Sequence, residues 1–448
     1  MMQHISDKLR KKGRRGWWLV WLWLAASCVA APPPGYYLVW GDEFNGTSLD
    51  TTKWDYWLPG RRRDAVNVTN AVSVVGGYLT ITTYTSNNTH YSGFVATDRK
   101  FRTKYGYWES SIKWGDTNGM WSAFWLQSPT MGRYLCDPQT AGSEIDIAEH
   151  RWVDGSTNPV ANRVQVNIHW NGYGSSARGA GSGYVGNGLA DGFHVYGFLS
   201  TPASYSFLID GAPVYDGGSA PISHSTEFAI LSSEVDDTST TWAGFIPAGG
   251  YGSLADSTTR LTVDYVRYYA PTNTVFWIGG ASTYWTNADN WVSNMTPAAA
   301  SDVTFSCLGS GARTELGREF SVHGLTILDT EGTVSVRGHA LTIGGGGIDA
   351  DCQSATLDCD VAVDARQTWT VGPGRTLRVN GALTGRGVLA KAGAGTLILS
   401  NAADYSGTVE VMGGALRVNG VMEAPVTVPP GGVVSNLSGV LSVVAAPP

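Results

Sequence analysis

Short stretches in which apolar and polar residues alternate recur through the first 270 residues of the chain. The alternation is clearest over Tyr78–Tyr84, Tyr107–Lys113, Arg163–His169, Tyr205–Asp210 and Leu261–Tyr268. Side chains of a β-strand point alternately to its two faces, so this pattern predicts strands with one buried face. Turn-forming residues bound each stretch, and Asp210-Gly211 is typical of a two-residue hairpin turn. Many strands separated by frequent turns predict an all-β sandwich or barrel.

The pattern changes between residues 270 and 276. Beyond this point aromatic residues become fewer, Gly, Val, Leu and Thr dominate, and the pentapeptide L-R-V-N-G occurs at 377–381 and again at 416–420. Short strands with glycine at the corners predict a β-solenoid, in which each coil buries its apolar face on the next. Residues 393–420 resemble the autotransporter-associated β-strand repeat. We therefore expect one β domain over 31–270 and a Gly-rich, β-solenoid-like accessory region over 271–448.

The first thirty residues have the features of a secretory signal peptide. Basic residues at positions 8–15 precede an apolar run over 16–27, and small residues and three prolines follow. The run is too short for a comfortable membrane span. We expect cleavage near Ala30 and a mature chain without a membrane span, secreted or held at the cell surface or in the periplasm of a bacterium. Cys28 leaves a lipid anchor as the alternative.

Composition narrows the classes of function. Charged residues make up 15% of the chain, against roughly 25% in a typical soluble protein, which fits a surface rich in uncharged polar and aromatic groups. Residues 1–30 have a net charge of +5, so the remaining chain carries −12. Such an acidic chain lacks the basic surface that a protein needs to bind nucleic acids or anionic membranes. We expect no nucleic-acid partner and a monomer.

The five cysteines do not form a recognisable framework. Their spacing matches no zinc motif, and Cys136 and Cys307 are isolated in the sequence. Cys352 and Cys359 are close enough in sequence to close a small disulfide loop in an oxidising compartment. The fold is therefore not expected to depend on disulfides.

The segment Gly142–His150 carries three carboxylates interleaved with apolar residues. Glu144 and Asp146 share a face of a regular strand, whereas Glu149, at an odd offset from Glu144, points away. A one-residue β-bulge at Ile147–Ala148 would return Glu149 to the same face. Carboxylates this close raise the pKa of at least one of them, which keeps an acid protonated near neutral pH. The competing interpretation is a solvated acidic strand face.

Motifs in order along residues 36–270 resemble glycoside hydrolase family 16. They are Leu38–Trp54, Lys104–Glu109, Gly119–Leu126, the E-x-D-x-x-E segment, Asp191–Tyr196 and Val263–Arg267. The resemblance implies a β-jelly-roll fold and a retaining glycoside hydrolase. By this resemblance Glu144 is the nucleophile, Glu149 is the acid/base, and Asp146 orients Glu144. Ala148 and His150 stand where laminarin-cleaving relatives usually have Met and Tyr, which argues against a simple β-1,3-glucanase.

Aromatic and polar residues around the motif indicate a sugar-binding cleft. Trp121 and Trp125 alternate onto one face and would form stacking platforms, with core packing as the competing interpretation. The other residues that we expect to line or support the cleft are Asn67, Arg63, His169 and Trp170. The run Arg61–Arg63 could pair with sulfate on a galactan or form a solvated turn.

The resemblance implies no cofactor for catalysis, but relatives often hold a structural calcium ion away from the cleft. Asp264 and the backbone oxygens of Glu43 and Gly77 would be its ligands here.

The sequence favours a secreted endo-β-glycosidase that hydrolyses a β-1,3- or β-1,4-linked glucan or galactan. Three alternatives remain: a carbohydrate-binding jelly roll with weak or no catalysis, a structural surface protein dominated by the C-terminal repeats, and a transglycosylase. Loss of either glutamate would favour the first alternative, and both are present. The identity of the polysaccharide is not fixed by the sequence.

Overall fold

The computed structural model describes residues 32–135, 137–237, 242–306, 312–328 and 332–428 in full, and 433–436 and 441–445 by their backbone. The expected signal peptide, with Cys28, and also Cys136 and Cys307 lie outside the described residues. Within the described part, no helix has both the length and the apolar character needed to cross a bilayer.

Residues 36–271 are built almost entirely from short strands. These are β1 (Tyr36–Asp42), β2 (Asp55–Tyr56), β3 (Gly60–Arg62), β4 (Ala65–Asn67), β5 (Val72–Val75), β6 (Tyr78–Thr82), β7 (Tyr84–Ser86), β8 (Thr89–Ser92), β9 (Phe94–Ala96), β10 (Gly106–Lys113), β11 (Met120–Gln127), β12 (Glu144–Arg151), β13 (Val164–Trp170), β14 (Arg178–Val185), β15 (His194–Ser200), β16 (Tyr205–Ile209), β17 (Ala212–Tyr215), β18 (Phe228–Val235) and β19 (Arg260–Pro271). A 3-10 turn at Thr69–Ala71 and one α-helical turn, α1 (Pro138–Ala141), interrupt them.

Two antiparallel sheets face each other. One has the order β17-β16-β15-β10-β19-β6-β5, with β1 also paired to β19, and the other has the order β14-β13-β12-β11-β18-β9-β2. A smaller sheet, β3-β4-β8-β7, lies beside them. Trp108 and Phe198 from the first sheet and Phe124 and Ile145 from the second meet in one core. The predicted all-β jelly roll is confirmed, as is each of the five predicted strands.

The predicted hairpin turn at Asp210-Gly211 joins β16 to β17. Both residues have positive φ, 49° and 78°. A two-residue turn with left-handed conformation at both positions matches the twist of the flanking strands, and Asp-Gly adopts it readily.

The C-terminal region forms a parallel β-solenoid, as predicted. Its strands are β20 (Thr274–Trp277), β21 (Asp302–Phe305), β22 (Arg313–Glu315), β23 (Phe320–Ile327), β24 (Thr333–Ala350), β25 (Ser354–Val363), β26 (Gln367–Val371), β27 (Thr376–Thr384), β28 (Val388–Ala392), β29 (Thr396–Asn401), β30 (Thr408–Val411), β31 (Ala415–Val418), β32 (Met422–Val428), β33 (Val433–Asn436) and β34 (Leu441–Ala445). A 3-10 turn lies at Ala288–Asn290.

Apolar side chains of successive coils stack inside the solenoid. Leu357 pairs with Val379, Val379 with Leu399, and Leu399 with Val418, and all four are buried. The first coil is closed by tryptophans, because Trp291 makes edge-on contacts with Trp277 and Trp285 at 5.0 and 5.5 Å. Each coil therefore covers the apolar face of its neighbour.

The jelly roll and the solenoid are in contact. Phe276 of β20 belongs to the core of the jelly roll, where its ring lies 6.3 Å from that of Tyr268. Lys104 of the jelly roll forms an ion pair with Asp349 of the solenoid, and Tyr37 donates a hydrogen bond to the backbone oxygen of Thr274 at 2.8 Å. Part of the jelly-roll core is therefore supplied by residues after 271.

Cys352 and Cys359 are both buried and do not form the disulfide considered for them. Cys359 lies five residues into β25, which begins at Ser354. An extended strand rises about 3.3 Å per residue, so the two cysteines are separated by far more than the 7 Å between Cα atoms that a disulfide allows. This expectation from sequence spacing is wrong because the intervening segment is extended.

Candidate active site

The three carboxylates of the E-x-D-x-x-E segment lie on one face of β12. On the neighbouring β11, Trp125 is opposite Asp146 and Phe124 is opposite Ala148, so Ile147 has no partner. The register to β13 shifts at the same point. This is the predicted β-bulge: Ile147 and Ala148 both pack in the core, and the strand returns Glu149 to the face that carries Asp146.

This face forms the floor of a cavity of about 540 Å³. Strands β11, β12, β13 and β18 provide the floor, and the segment before β4 provides one wall. The lining residues are Trp57, Leu58, Arg62, Arg63, Trp121, Ala123, Trp125, Gln127, Glu144, Asp146, Glu149, His169, Tyr173, Ser232 and Glu234. All of them precede residue 235, so the solenoid contributes nothing to this cavity.

Glu149 is buried and accepts hydrogen bonds at both carboxyl oxygens. Trp121 donates from Nε1 to Oε1 at 2.9 Å, and Asn167 donates from Nδ2 to Oε2. Burial is the main cause that raises the pKa of Glu149, to about 8, and the charge of Asp146 adds to it, while the bond from Asn167 acts in the opposite direction. At neutral pH Glu149 therefore holds a proton that it can donate.

Asp146 lies between the two glutamates in sequence and is almost fully buried. Its pKa is raised well above the ordinary value, first by burial and then by the charge of Glu144. The Nε2 atom of His169 lies 3.4 Å from Oδ2 of Asp146. On β13, His169 lies directly opposite Glu144 of β12. This register brings the His169 imidazole into the same cavity as Asp146.

Glu144 has a different environment from Glu149. Tyr173 donates a hydrogen bond from its hydroxyl to Oε2 of Glu144. Burial raises the pKa of Glu144 overall, and the hydrogen bond from Tyr173 and the electrostatic influence of His169 and Arg62 oppose this shift. The two glutamates are thus separated electrostatically, with cationic and donor groups favouring the ionised form of Glu144.

The arginine run is partly paired with carboxylates of the protein. Arg62 and Arg63 both bind the carboxylate of Glu234, with Arg62 Nη2 at 2.9 Å from Oε1. Arg63 also lies 3.3 Å from Asp236 and places its guanidinium 4.6 Å from the ring centre of Trp121. Arg61 is exposed. Two of the three arginines are therefore neutralised by carboxylates of the protein.

Several residues expected at the cleft are brought together there. Trp121 and Trp125 line the cavity on the same face of β11, and Trp125 donates from Nε1 to Ser232 Oγ at 3.0 Å. Arg63 and His169 line it as well.

Asn67 and Trp170 do not line the cavity. Asn67 is buried and donates to the backbone oxygen of Leu58 at 3.0 Å, so it supports the wall from behind. Trp170 packs against the core, because it follows His169 in the strand and points to the opposite face. The same alternation puts Asn167 on the face of His169, and this period of two is the signal that could have identified Asn167.

The proposed calcium ligands can be tested against the local chemistry. The Glu43 carboxylate is held by Arg267 through two hydrogen bonds of 2.8 Å, which leaves its backbone oxygen for a cation. Burial and the charge of Glu43 raise the pKa of Asp264, an effect that a cation would relieve. Gly77 lies beside Asn45: a Cβ added to Gly77 would be 3.9 Å from the side-chain oxygen of Asn45. Carboxylate and backbone carbonyl oxygens are the type of donor that calcium prefers.

Comparison with protein-family models matches two segments of the chain. Residues 39–271, more than half of the chain, match the model described as beta-porphyranase A–D, GH16 domain. The chain belongs to glycoside hydrolase family 16. Residues 389–418 match the passenger-associated-transport repeat, which confirms the autotransporter-associated repeat predicted in the solenoid.

Relatives of this family 16 chain act on more than one polysaccharide, as their names state. The glucan endo-1,3-beta-glucosidase A1 of Niallia circulans is 25% identical over 52% of this chain and 38% of its own length. The beta-porphyranase D of Zobellia galactanivorans is 32% identical over 31% of this chain and 37% of its own length. The chain spans less than half of the length of the curated relatives that it matches.

Solved structures of family 16 enzymes align with the same half of the chain. Porphyranase B from Zobellia galactanivorans has 24% identity and a TM-score of 0.42, covering 52% of this chain and 92% of the other. The laminarinase from Rhodothermus marinus has 26% identity and a TM-score of 0.41, covering 52% and 97%.

Proposed function

We propose that this glycoside hydrolase is a secreted, retaining endo-β-glycosidase, with a porphyran-type galactan as the first candidate substrate and a β-1,3/1,4-glucan as the second. The observation that carries the proposal is the bulge in β12, which gathers Glu144, Asp146 and Glu149 on the floor of one cavity. The match to the porphyranase model and the 32% identity to a beta-porphyranase support the galactan. The passenger-associated-transport repeat supports export to the cell surface or medium.

In the proposed mechanism the carboxylate of Glu144 attacks the anomeric carbon. The bond to the leaving oxygen breaks as that oxygen takes the proton of Glu149, and a covalent glycosyl-enzyme forms. Glu149 then accepts a proton from water, which attacks the same carbon and releases Glu144. Retaining enzymes place the two carboxyl groups close together, about 5–5.5 Å apart, and two glutamates on one strand beside Asp146 favour this short span.

The roles of the other groups follow from their contacts. The charge of Asp146, in its ionised form, and the charge of Glu144 both raise the pKa of Glu149 and so favour its protonated form. When Glu144 becomes an ester its charge disappears, the pKa of Glu149 falls, and the acid becomes a base. Trp121 and Trp125 are the proposed sugar platforms. Calcium at Asp264, Glu43 and Gly77 is proposed as a structural ion with no part in these steps.

The experiment that tests the proposal is hydrolysis of a panel of polysaccharides by the mature chain, followed by reducing-end assay and product analysis. Porphyran, agarose, carrageenan, laminarin, lichenan and xyloglucan distinguish galactan from glucan specificity. Proton NMR of early products should show the β-anomer first, and Glu149→Ala should recover turnover with azide and yield a β-glycosyl azide. An initial α-anomer, or activity that survives Glu144→Ala, would overturn the mechanism.

A further inference from the structure

Tyr173 lines the cavity from the loop between β13 and β14, and 69% of the residue is exposed. Asn171 and Gly172, which precede it, are both left-handed, with φ of 63° and 72°. The loop backbone also touches Gly132, where an added Cβ would lie 2.7 Å from the Cα of Gly172. A tight turn and a backbone contact that only glycine permits therefore determine the position of the Tyr173 backbone.

The hydroxyl of Tyr173 is part of a directed chain of hydrogen bonds. Gln127 donates from Nε2 to the hydroxyl oxygen at 2.6 Å, and the hydroxyl donates to Oε2 of Glu144. Because the amide of Gln127 can only donate through Nε2, the phenol proton is left for the carboxylate. Although most of the residue is exposed, partial desolvation of the hydroxyl and, secondly, the charge of Glu144 raise the pKa of Tyr173, which favours the protonated donor.

We propose that Tyr173 is a positioning residue for the nucleophile, which holds Oε2 of Glu144 so that Oε1 is the atom that attacks the anomeric carbon. The inference rests on the proposed function. It assigns a role to a residue outside the E-x-D-x-x-E strand, and it makes Gln127 the residue that orients Tyr173.

The hydrogen bond has its main effect on the second chemical step. In the first step the electron pair of Oε1 forms the bond to the anomeric carbon, and the leaving oxygen takes the proton of Glu149. In the second step water gives a proton to Glu149, its oxygen bonds to the anomeric carbon, and the ester electrons return to Glu144. Tyr173 keeps its proton throughout and stabilises the carboxylate that reappears, because hydrogen bonds to charged groups are stronger than those to neutral ones.

The test is Tyr173→Phe, which removes only the hydroxyl. On an aryl β-glycoside with an activated leaving group, of the sugar that the wild type prefers, the second step limits turnover. We expect kcat to fall roughly 10- to 100-fold, the scale of one charge-assisted hydrogen bond, together with a lower KM and a glycosyl-enzyme visible by mass spectrometry. The acidic limb of kcat/KM should move to higher pH, because Glu144 loses a donor that favours its ionised form. Tyr78→Phe, an exposed tyrosine on the other sheet, is the matched control.

A second variant tests the orientation of the hydroxyl. Gln127→Ala should shift the acidic limb in the same direction by a smaller amount, and should add nothing in the Tyr173→Phe background. Independent effects of the two changes would contradict the hydrogen-bond chain. This pair keeps the test decisive if Tyr173→Phe alters folding, which thermal unfolding would reveal.

The outcomes separate this inference from the proposed function. If Glu144→Ala abolishes hydrolysis but Tyr173→Phe leaves the pH profile and the intermediate unchanged, the function stands and the role of Tyr173 is wrong. If the wild type hydrolyses nothing in the panel, or if Glu144→Ala retains activity, the proposed function fails and the inference fails with it.

Discussion

Trp121 donates a hydrogen bond from its indole nitrogen to Oε1 of Glu149 at 2.9 Å. The tryptophan is thus tied directly to the proposed acid/base, in addition to forming part of the cavity wall. The guanidinium of Arg63 lies over the ring of Trp121, 4.6 Å from its centre. A pure stacking platform would affect binding of substrate and transition state alike, whereas this contact also bears on proton transfer.

Replacing Trp121 with Phe should therefore change kcat as well as KM. A donor to a carboxylate favours its ionised form, so its loss should raise the pKa of Glu149 further above about 8 and weaken the acid. We expect kcat on polysaccharide to fall about 10-fold, the scale of one lost hydrogen bond, with a smaller loss on substrates whose leaving group needs no proton. A change in KM alone would show that Trp121 is only a platform.

The pH profile of the wild type follows from the two environments. Glu149 must be protonated, so kcat/KM should fall as the pH rises through about 8. Glu144 must be ionised, and burial raises its pKa. The acidic limb should therefore lie at a higher pH than the ordinary pKa of a glutamate would give. Initial rates between pH 4 and 10 give both limbs, and a basic limb below pH 6 would contradict the assignment of Glu149.

Glu234→Gln should expose the charge of the two arginines. Their guanidinium groups now share the Glu234 carboxylate, whose charge also raises the pKa of Glu144. Its removal should lower the pKa of Glu144 and move the acidic limb to lower pH. It should also lower KM for a sulfated polysaccharide in a salt-dependent manner and leave KM for a neutral one unchanged. Equal effects on both polysaccharides would contradict this.

A fragment of residues 31–270 should keep its turnover but lose stability. All residues that line the cavity precede residue 235, whereas Phe276 belongs to the jelly-roll core and Asp349 pairs with Lys104. Losing a buried phenylalanine costs about 3–5 kcal/mol, so the fragment should unfold at a lower temperature than the same domain in the full chain. Phe276→Ala in the full chain should reproduce part of that loss. A folded fragment without activity would mean that the solenoid takes part in the site.

Glu227 should make the stability of the jelly roll depend on pH. It is completely buried, and burial raises its pKa to about 8. The folded state holds the proton of Glu227 more tightly than the unfolded chain does. The contribution of this proton to the free energy of unfolding is therefore fully present below about pH 4.5 and is lost as the pH rises through about 8. Glu227→Gln should therefore raise the melting temperature more at pH 8.5 than at pH 5, and the exposed Glu423→Gln should show no such difference. An equal shift at both values would contradict the buried-acid assignment.

Local patterns were sufficient to predict much of the fold. The alternation over Tyr107–Lys113 and Arg163–His169 reports strand faces, and the hairpin at Asp210-Gly211 requires only a turn that these two residues favour. The bulge in β12 was also predictable, because three carboxylates can share a face only if one residue is skipped.

The remaining parts of the site depend on contacts between distant segments. Glu234 follows Arg62 by 172 residues, and Tyr173 reaches Glu144 through a loop whose path depends on Gly132. Neither contact has a local signature in the sequence. Asn67 and Trp170 were expected at the cleft from sequence position, but burial and strand alternation put their side chains elsewhere.

Stacked coils in the solenoid repeat with a period of about twenty residues, since the buried column steps from Leu357 to Val379, Leu399 and Val418. Parallel coils pair only with the coil above and the coil below. A duplication of one whole coil would therefore lengthen the region by about 4.8 Å, the distance between paired strands, and leave every hydrogen bond of the cavity in place. Evolution can adjust the reach of this appendage in discrete increments while selection on the cleft proceeds independently.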